Sequence, residues 1–177
     1  MANLERNLDS YYRPQALVVL DLMLDADSFE EAVETLIFTP MTSPSHFIVG
    51  GIKGHEGVVI SRDFDKTVNT RWLSDDDWFV VQTNSDVWTA PDTRYENAYN
   101  AMIKLTQSKV ETDGKDIIEN VLFDEGVIQD DTIFTSTISA HKGQPIVVYD
   151  SPSHDLPEDI SYAWHFAIPS ESFAQLY

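Results

Sequence analysis

The chain has 177 residues, 42% hydrophobic and 11% aromatic, a composition that sustains a buried core and excludes a disordered tract. Lys and Arg total 11 against 30 Asp and Glu, a formal net charge of −19. That balance argues against a nucleic-acid backbone or an anionic membrane leaflet as partner, and for a well-solvated acidic surface. With no cysteine, disulfides, thiolate metal sites and a cysteine nucleophile are excluded within these residues.

Residues 1–12 form a lead-in without periodicity, and without the basic-then-apolar pattern of a signal peptide. No run approaches the roughly 20 apolar residues of a membrane helix, so no integral membrane segment is expected. Arg13-Pro14 opens a helix in which Leu17, Val18, Leu20 and Leu24 recur at helical spacing through about Asp25. Its apolarity predicts a core helix. Ser28 and Glu31 form a capping box at the start of a second helix, which buries Phe29, Ala32, Val33, Leu36 and Ile37 and which Pro40 ends.

From Phe47 the period becomes strand-like. His46–Ile52 and Gly57–Ser61, joined by Lys53-Gly54-His55-Glu56, read as a β-hairpin. The Gly50-Gly51 pair calls for a bulge or a close approach by another group. Ser61–Asp65 reads as a polar strand exit, Thr67–Leu73 as a further strand, and Asp75-Asp76-Asp77 as a solvated turn without calcium-loop spacing. Trp78-Phe79-Val80-Val81 has the composition of a buried strand, and the chain turns polar at Gln82–Asp86 before Val87-Trp88. A strand delivering an amide and a carboxylate to its C-terminal end can build a site, and many ordinary strands end in the same Asx-turn.

Pro91-Asp92-Thr93 starts a helix to about Val110, with Ala98, Met102 and Leu105 on its buried face, and Lys115–Phe123 forms a shorter one. Strands at Thr132–Ser139 and Pro145–Tyr149 follow, with His141–Gln144 as their turn, then a Pro- and Asp-rich loop and a last strand at Ile160–Ile168. Grouped runs of helices and strands indicate an α+β fold, helices flanking antiparallel sheet, in a single domain over 1–177. The five histidines never fall at metal-ligand spacing, and no phosphate-binding loop, dinucleotide fingerprint or G-x-S-x-G elbow is present. No metal and no cofactor are expected.

Phe47–Asp65 (FIVGGIKGHEGVVISRDFD), Trp78–Trp88 (WFVVQTNSDVW) and Ala90–Ala98 (APDTRYENA) together resemble the C-terminal half of the acid ceramidase family. That family includes N-acylethanolamine-hydrolysing acid amidase, with the choloylglycine hydrolases as more distant relatives. The SFEEAVETL helix and the TIFTSTISAHKGQ hairpin have counterparts in the same order, so the resemblance covers residues 28–150, between a lead-in at 1–27 and a loop and strand at 151–177. It implies part of an N-terminal-nucleophile hydrolase fold, an αββα sandwich, of which this is the C-terminal (β-subunit) portion.

The resemblance further implies hydrolysis of the amide bond of N-acyl lipids by a cysteine freed at a chain start by self-cleavage. The Asn of the family's T-N-x-D motif, which holds the developing oxyanion, maps to Asn84. In the D-D-R-R-T motif only the first arginine is kept, as Arg94, and Tyr95 stands at the second, so which of the two positions does the work stays open. Asp86 and Trp88 match as well, as candidates for substrate contact or as a turn acceptor and a packing residue. The family's cysteine lies upstream of the glycine hairpin, and none of residues 1–27 is Cys.

The expectation is therefore half a site, completed by a missing catalytic half; the chain would be a fragment, a separately encoded subunit or a degenerate paralogue that binds a lipid amide or a partner protein. An uncovered sheet face would make it associate with that half or with a second copy. The family's animal members point to the lysosome, whereas a chain complete without a signal would be cytoplasmic.

Overall fold

The computed structural model describes residues 12–107, 114–130, 132, 134–140, 144–150 and 175–176. The elements in order are α1 (Gln15–Asp25), α2 (Phe29–Phe38), β1 (Ser45–Gly50), β2 (Gly57–Arg62), β3 (Thr67–Trp72), α3 (Thr93–Leu105), α4 (Lys115–Ile117), a π turn (Ile118–Leu122), β4 (Phe134–Ser139), β5 (Gln144–Asp150) and β6 (Gln175–Leu176). They divide into two compact units, one running to Val80 and including β6, the other starting at Val81. The expected strand at 160–168, the turn at 141–143 and the lead-in at 1–11 lie outside the described residues.

The first unit is built on a four-stranded antiparallel sheet of order β3-β2-β1-β6. The predicted hairpin forms in the register His46↔Ser61 through Gly50↔Gly57. Gly51 lies just past β1, where a Cβ would fall 2.3 Å from Oε2 of Glu56, so glycine leaves room for the carboxylate that accepts from Lys53 N at 2.9 Å. This is the close approach that the glycine pair calls for.

α1 and α2 pack on one side of the sheet, where Val18, Leu22, Phe29, Ala32, Val33, Leu36, Met41, Phe47, Val49, Val58 and Ile60 form a continuous core. Ser28 Oγ accepts from Glu31 N at 3.1 Å, as the box predicts. The reciprocal bond comes from Asp27 N to Glu31 Oε2, one residue earlier than the standard pattern.

Three expectations need correction here. α1 is not a core helix on its leucine face: Val18 and Leu22 are buried, while Leu17, Leu20 and Leu24 are 47%, 49% and 73% exposed. A helix apolar on all sides meets the sheet along only one stripe, and the i, i+4 pair Val18 and Leu22 won it. Second, the sheet is not bare at its centre, since every residue of β2 is buried; exposed apolar side chains lie on α1 and at Val68 and Trp72 of β3.

Third, Arg62 is no polar strand exit but a buried cation, 2% exposed. Its Nη1 donates to Leu36 O (2.6 Å) and to Ile37 O, and its Nη2 to Thr39 O at 2.9 Å. Leu36 O would ordinarily accept from the amide four residues on, but that residue is Pro40, which has none. Arg62 therefore caps the C-terminus of α2 from the side, where the helix dipole favours a cation. Burial pulls its pKa down and Asp65 opposes that shift.

In the second unit β4 and β5 form an antiparallel pair. Ala98 and Met102 of α3 are buried, as are Ile118 and Val121 of the π turn. The segment predicted as one short helix is thus a single α turn that widens into a π turn. Gly114, at φ +71°, precedes it and packs against Thr137, whose Cγ2 would lie 2.7 Å from a Cβ.

Candidate active site

The predicted strand at 78–81 is not among the strands of the described residues: residues 77–83 run without ladder assignment and are mostly half-buried. Trp78 and Phe79 meet edge-to-face at 4.9 Å. An apolar, β-branched run records fit to a pleated, half-buried surface and does not by itself dictate pairing.

From Val81 the chain belongs to the second unit, and its polar bend is tied down at several points. The side-chain amide of Gln82 donates to the carbonyls of Thr83 (2.6 Å) and Ser85 (2.9 Å). The hydroxyls of Thr83 and Ser85 lie 3.2 Å apart, and Thr83 Oγ1 donates to Asp92 Oδ2 at 3.1 Å. Asp92 is the N-cap of α3, its Oδ1 accepting from Tyr95 N at 2.6 Å. The Asp92 carboxyl is held below its ordinary pKa, chiefly by that amide; partial burial opposes the shift, and the Thr83 and Ser85 hydroxyls and the Arg94 charge add to it.

Asn84 sits at the tip of this bend, exposed, and makes no hydrogen bond among the described residues. Asp86 is exposed too, and its backbone carbonyl accepts from Thr89 N (2.9 Å), Ala90 N (3.1 Å) and the Thr89 hydroxyl (2.9 Å). Trp88 is half-buried in the turn so formed. Arg94, on the first turn of α3, donates from Nε to Val127 O at 2.8 Å. One turn on, Asn97 Nδ2 donates to Gly126 O, and a Cβ at Gly126 would lie 2.0 Å from that nitrogen. A side chain at 126 would have to displace the Asn97 amide, and with it this bond. Tyr95 stacks on Tyr99 at 5.8 Å.

The bend that carries Asn84 and the helix start that carries Arg94 are thus joined by hydrogen bonds through Asp92. Asp92 and Thr83 were not among the sequence-predicted site residues. An Asp before a helical run marks a cap and was legible; the Thr83 contact, nine residues away, has no local signal. A cleft of about 510 Å³ lies elsewhere, in the first unit, lined by Phe29, Val33, Ile37, Phe38, Trp72 and the β1–β2 turn; none of the predicted site residues lines it. Among the described residues no group of three or more His, Asp or Glu could hold a metal ion, and no helix is long and apolar enough to cross a membrane.

The helices and antiparallel sheets form an α+β assembly, part of an N-terminal-nucleophile hydrolase fold: the solved structure of a Caenorhabditis elegans N-acylethanolamine-hydrolyzing acid amidase ortholog matches with a TM-score of 0.58 and 33% identity, over 66% of this chain and 50% of that one. No protein-family model matches the sequence. Acid ceramidase of Homo sapiens is 32% identical over 122 residues, 68% of this chain and 31% of the relative. N-acylethanolamine-hydrolyzing acid amidase of Caenorhabditis elegans is 40% identical over 80 residues, 44% of this chain and 22% of the relative. The chain belongs, as a partial chain, to the acid ceramidase and N-acylethanolamine-hydrolysing acid amidase family. It spans between about a fifth and a third of the length of the curated relatives it matches, 22% to 35%.

Proposed function

We propose that this chain is the C-terminal portion of an amidohydrolase that cleaves the amide bond of N-acyl lipids, with its cysteine nucleophile supplied from outside these residues. Asn84 donates its side-chain amide to the oxyanion that develops when the thiolate attacks the acyl carbon. Arg94, braced by the Val127 carbonyl, orients the nucleophile region with the guanidinium nitrogens that this bond leaves over. Asp86 and Trp88 contact substrate at the rim of the same bend. The observation that carries the reading is the amide of Asn84, exposed and without a hydrogen bond among the described residues, on a bend fastened to the helix that bears Arg94. A donor held in place before reaction and open to an incoming acyl oxygen is what oxyanion stabilisation requires. The exposed leucines of α1 support a partner, either the missing catalytic half or a second copy.

The test is complementation. The purified chain alone should hydrolyse neither N-acylsphingosines nor N-acylethanolamines, and mixing with a segment that supplies the cysteine should restore turnover. In the restored protein Asn84→Ala should lower kcat on the order of 10²- to 10³-fold, with a much smaller change in substrate binding. Turnover by the chain alone, abolished by Asn84→Ala, would overturn the divided site. The absence of cysteine from all 177 residues favours a second reading, a degenerate member that binds the lipid amide without cleaving it. Calorimetric binding of an N-acyl amide with no turnover in any mixture would select it.

A further inference from the structure

Asn84 is bracketed by two hydroxyl residues in contact with each other, and the first of them bonds to the Asp92 carboxylate. Thr83 Oγ1 donates to Asp92 Oδ2 at 3.1 Å, and the Ser85 hydroxyl lies 3.2 Å from Thr83 Oγ1. The other oxygen of Asp92 accepts from Tyr95 N at 2.6 Å, fixing the carboxylate to the first turn of α3. An N-cap needs only this second bond. The first reaches back nine residues into a stretch with no ladder assignment, which no helix cap requires.

We infer that Asp92 is the positioning residue for Asn84, clamping the 83–85 bend to the helix start and thereby setting the direction of the Asn84 amide relative to Arg94. This deepens the oxyanion reading and rests on it. A donor on an exposed bend stabilises developing charge only if its orientation is settled beforehand; otherwise ordering the bend is charged to the barrier. The Gln82 bonds to the carbonyls of Thr83 and Ser85 shape the bend internally, but they cannot fix it relative to another element. Asp92 alone among the described contacts of the bend does both, because each of its oxygens serves a different segment.

Thr83→Val separates the two roles, since it removes the hydroxyl and leaves the cap intact. On the full chain, backbone order parameters at 83–86 should fall from the rigid range of about 0.85 to below about 0.6, while hydrogen exchange at the Tyr95 amide stays within twofold of wild type. Thr83→Ser, which keeps the hydroxyl, should return both to wild-type values. Asp92→Ala should loosen the bend and speed exchange at Tyr95 together. If Thr83→Val leaves the order parameters of the bend unchanged, Asp92 is only a cap and the inference is wrong. In the complemented protein Thr83→Val should lower kcat with little effect on KM. Loss of kcat on Asn84→Ala without any loss on Thr83→Val would refute the clamp and leave the role of Asn84 standing. A rigid clamp beside an Asn84→Ala variant of full activity would refute the oxyanion reading instead.

Discussion

Replacing Arg62 by methionine keeps most of the side-chain volume and removes all three donated bonds. Leu36 O and Thr39 O would then lose the partners that Arg62 provides, while Ile37 O keeps the Thr67 hydroxyl at 3.1 Å. Pro40 offers Leu36 O no replacement amide. The buried Leu36 carbonyl left unsatisfied costs about 1–3 kcal/mol, and the half-buried Thr39 carbonyl, which water can reach, adds less. Against this stands the desolvation of the guanidinium, which methionine spares and which makes a buried cation a mixed asset. The balance is a loss of about 1–3 kcal/mol, a sizeable share of the roughly 5–15 kcal/mol by which domains are stable. Arg62→Ala should cost more, because it adds a cavity, and Arg62→Lys less, because one ammonium can serve some of the same carbonyls. Urea titration followed by the fluorescence of Trp72, which sits edge-to-face with Phe29 of α2 at 6.3 Å, reads the unit concerned. The midpoint should fall at constant m. A methionine variant within about 0.5 kcal/mol of wild type, the range of ordinary surface substitutions, would refute the capping argument.

Asp92 has a depressed folded-state pKa, so its contribution to the bend and helix start is fully present above the ordinary carboxylate value of about 4 and is lost as pH falls through the lower folded value. The Tyr95 amide shift should titrate below that ordinary value, and Asp92→Asn should abolish the step; a midpoint at or above it would contradict the assignment. The exposed Leu17, Leu20 and Leu24 should make the isolated chain self-associate in light scattering, more strongly as salt screens the net charge of −19. Leu20→Glu combined with Leu24→Glu should return a monomer, and a wild-type monomer at the highest attainable concentration would exclude this surface as the cause.

What the sequence made legible follows the range of each signal. The Ser28–Glu31 box, the hairpin with Gly51 facing Glu56, β3 and the Asp92 start of α3 all rest on contacts within a few residues, and each is found where periodicity and turn chemistry place it. The failures concern tertiary choices. Composition could not say which stripe of an all-round apolar helix would face the sheet, so Leu17, Leu20 and Leu24 were assigned inward. Nor could it say that Arg62, at the polar end of a strand, would turn under α2 to meet carbonyls 23 to 26 residues back. A charged residue reads as exposed until a partner is known, and the partner was a proline-orphaned helix end. β6 pairs with β1 across more than a hundred residues, beyond any local pattern.

The candidate site divides along the same line. Asn84 and Arg94 came from the ordered blocks shared with a family, because neither residue differs locally from a strand cap or a surface arginine. The geometry changes what surrounds them: Asn84 lies on a fastened bend and not at the end of a paired strand, and Arg94 is braced by Val127 in a turn whose Gly126 carbonyl also accepts from Asn97 of α3. Tyr95, at the second arginine position of the motif, is engaged in stacking on Tyr99, so Arg94 is the cation that this helix start can present. The stretch thus carries three linked features, an exposed amide at Asn84, a carboxylate at Asp92 that bonds to both the bend and the helix start, and a guanidinium at Arg94 bonded to Val127 O. The clamp proposed above would give the aspartate two residues before Arg94 and the threonine just before Asn84 one shared task, because their 3.1 Å bond ties the two segments together.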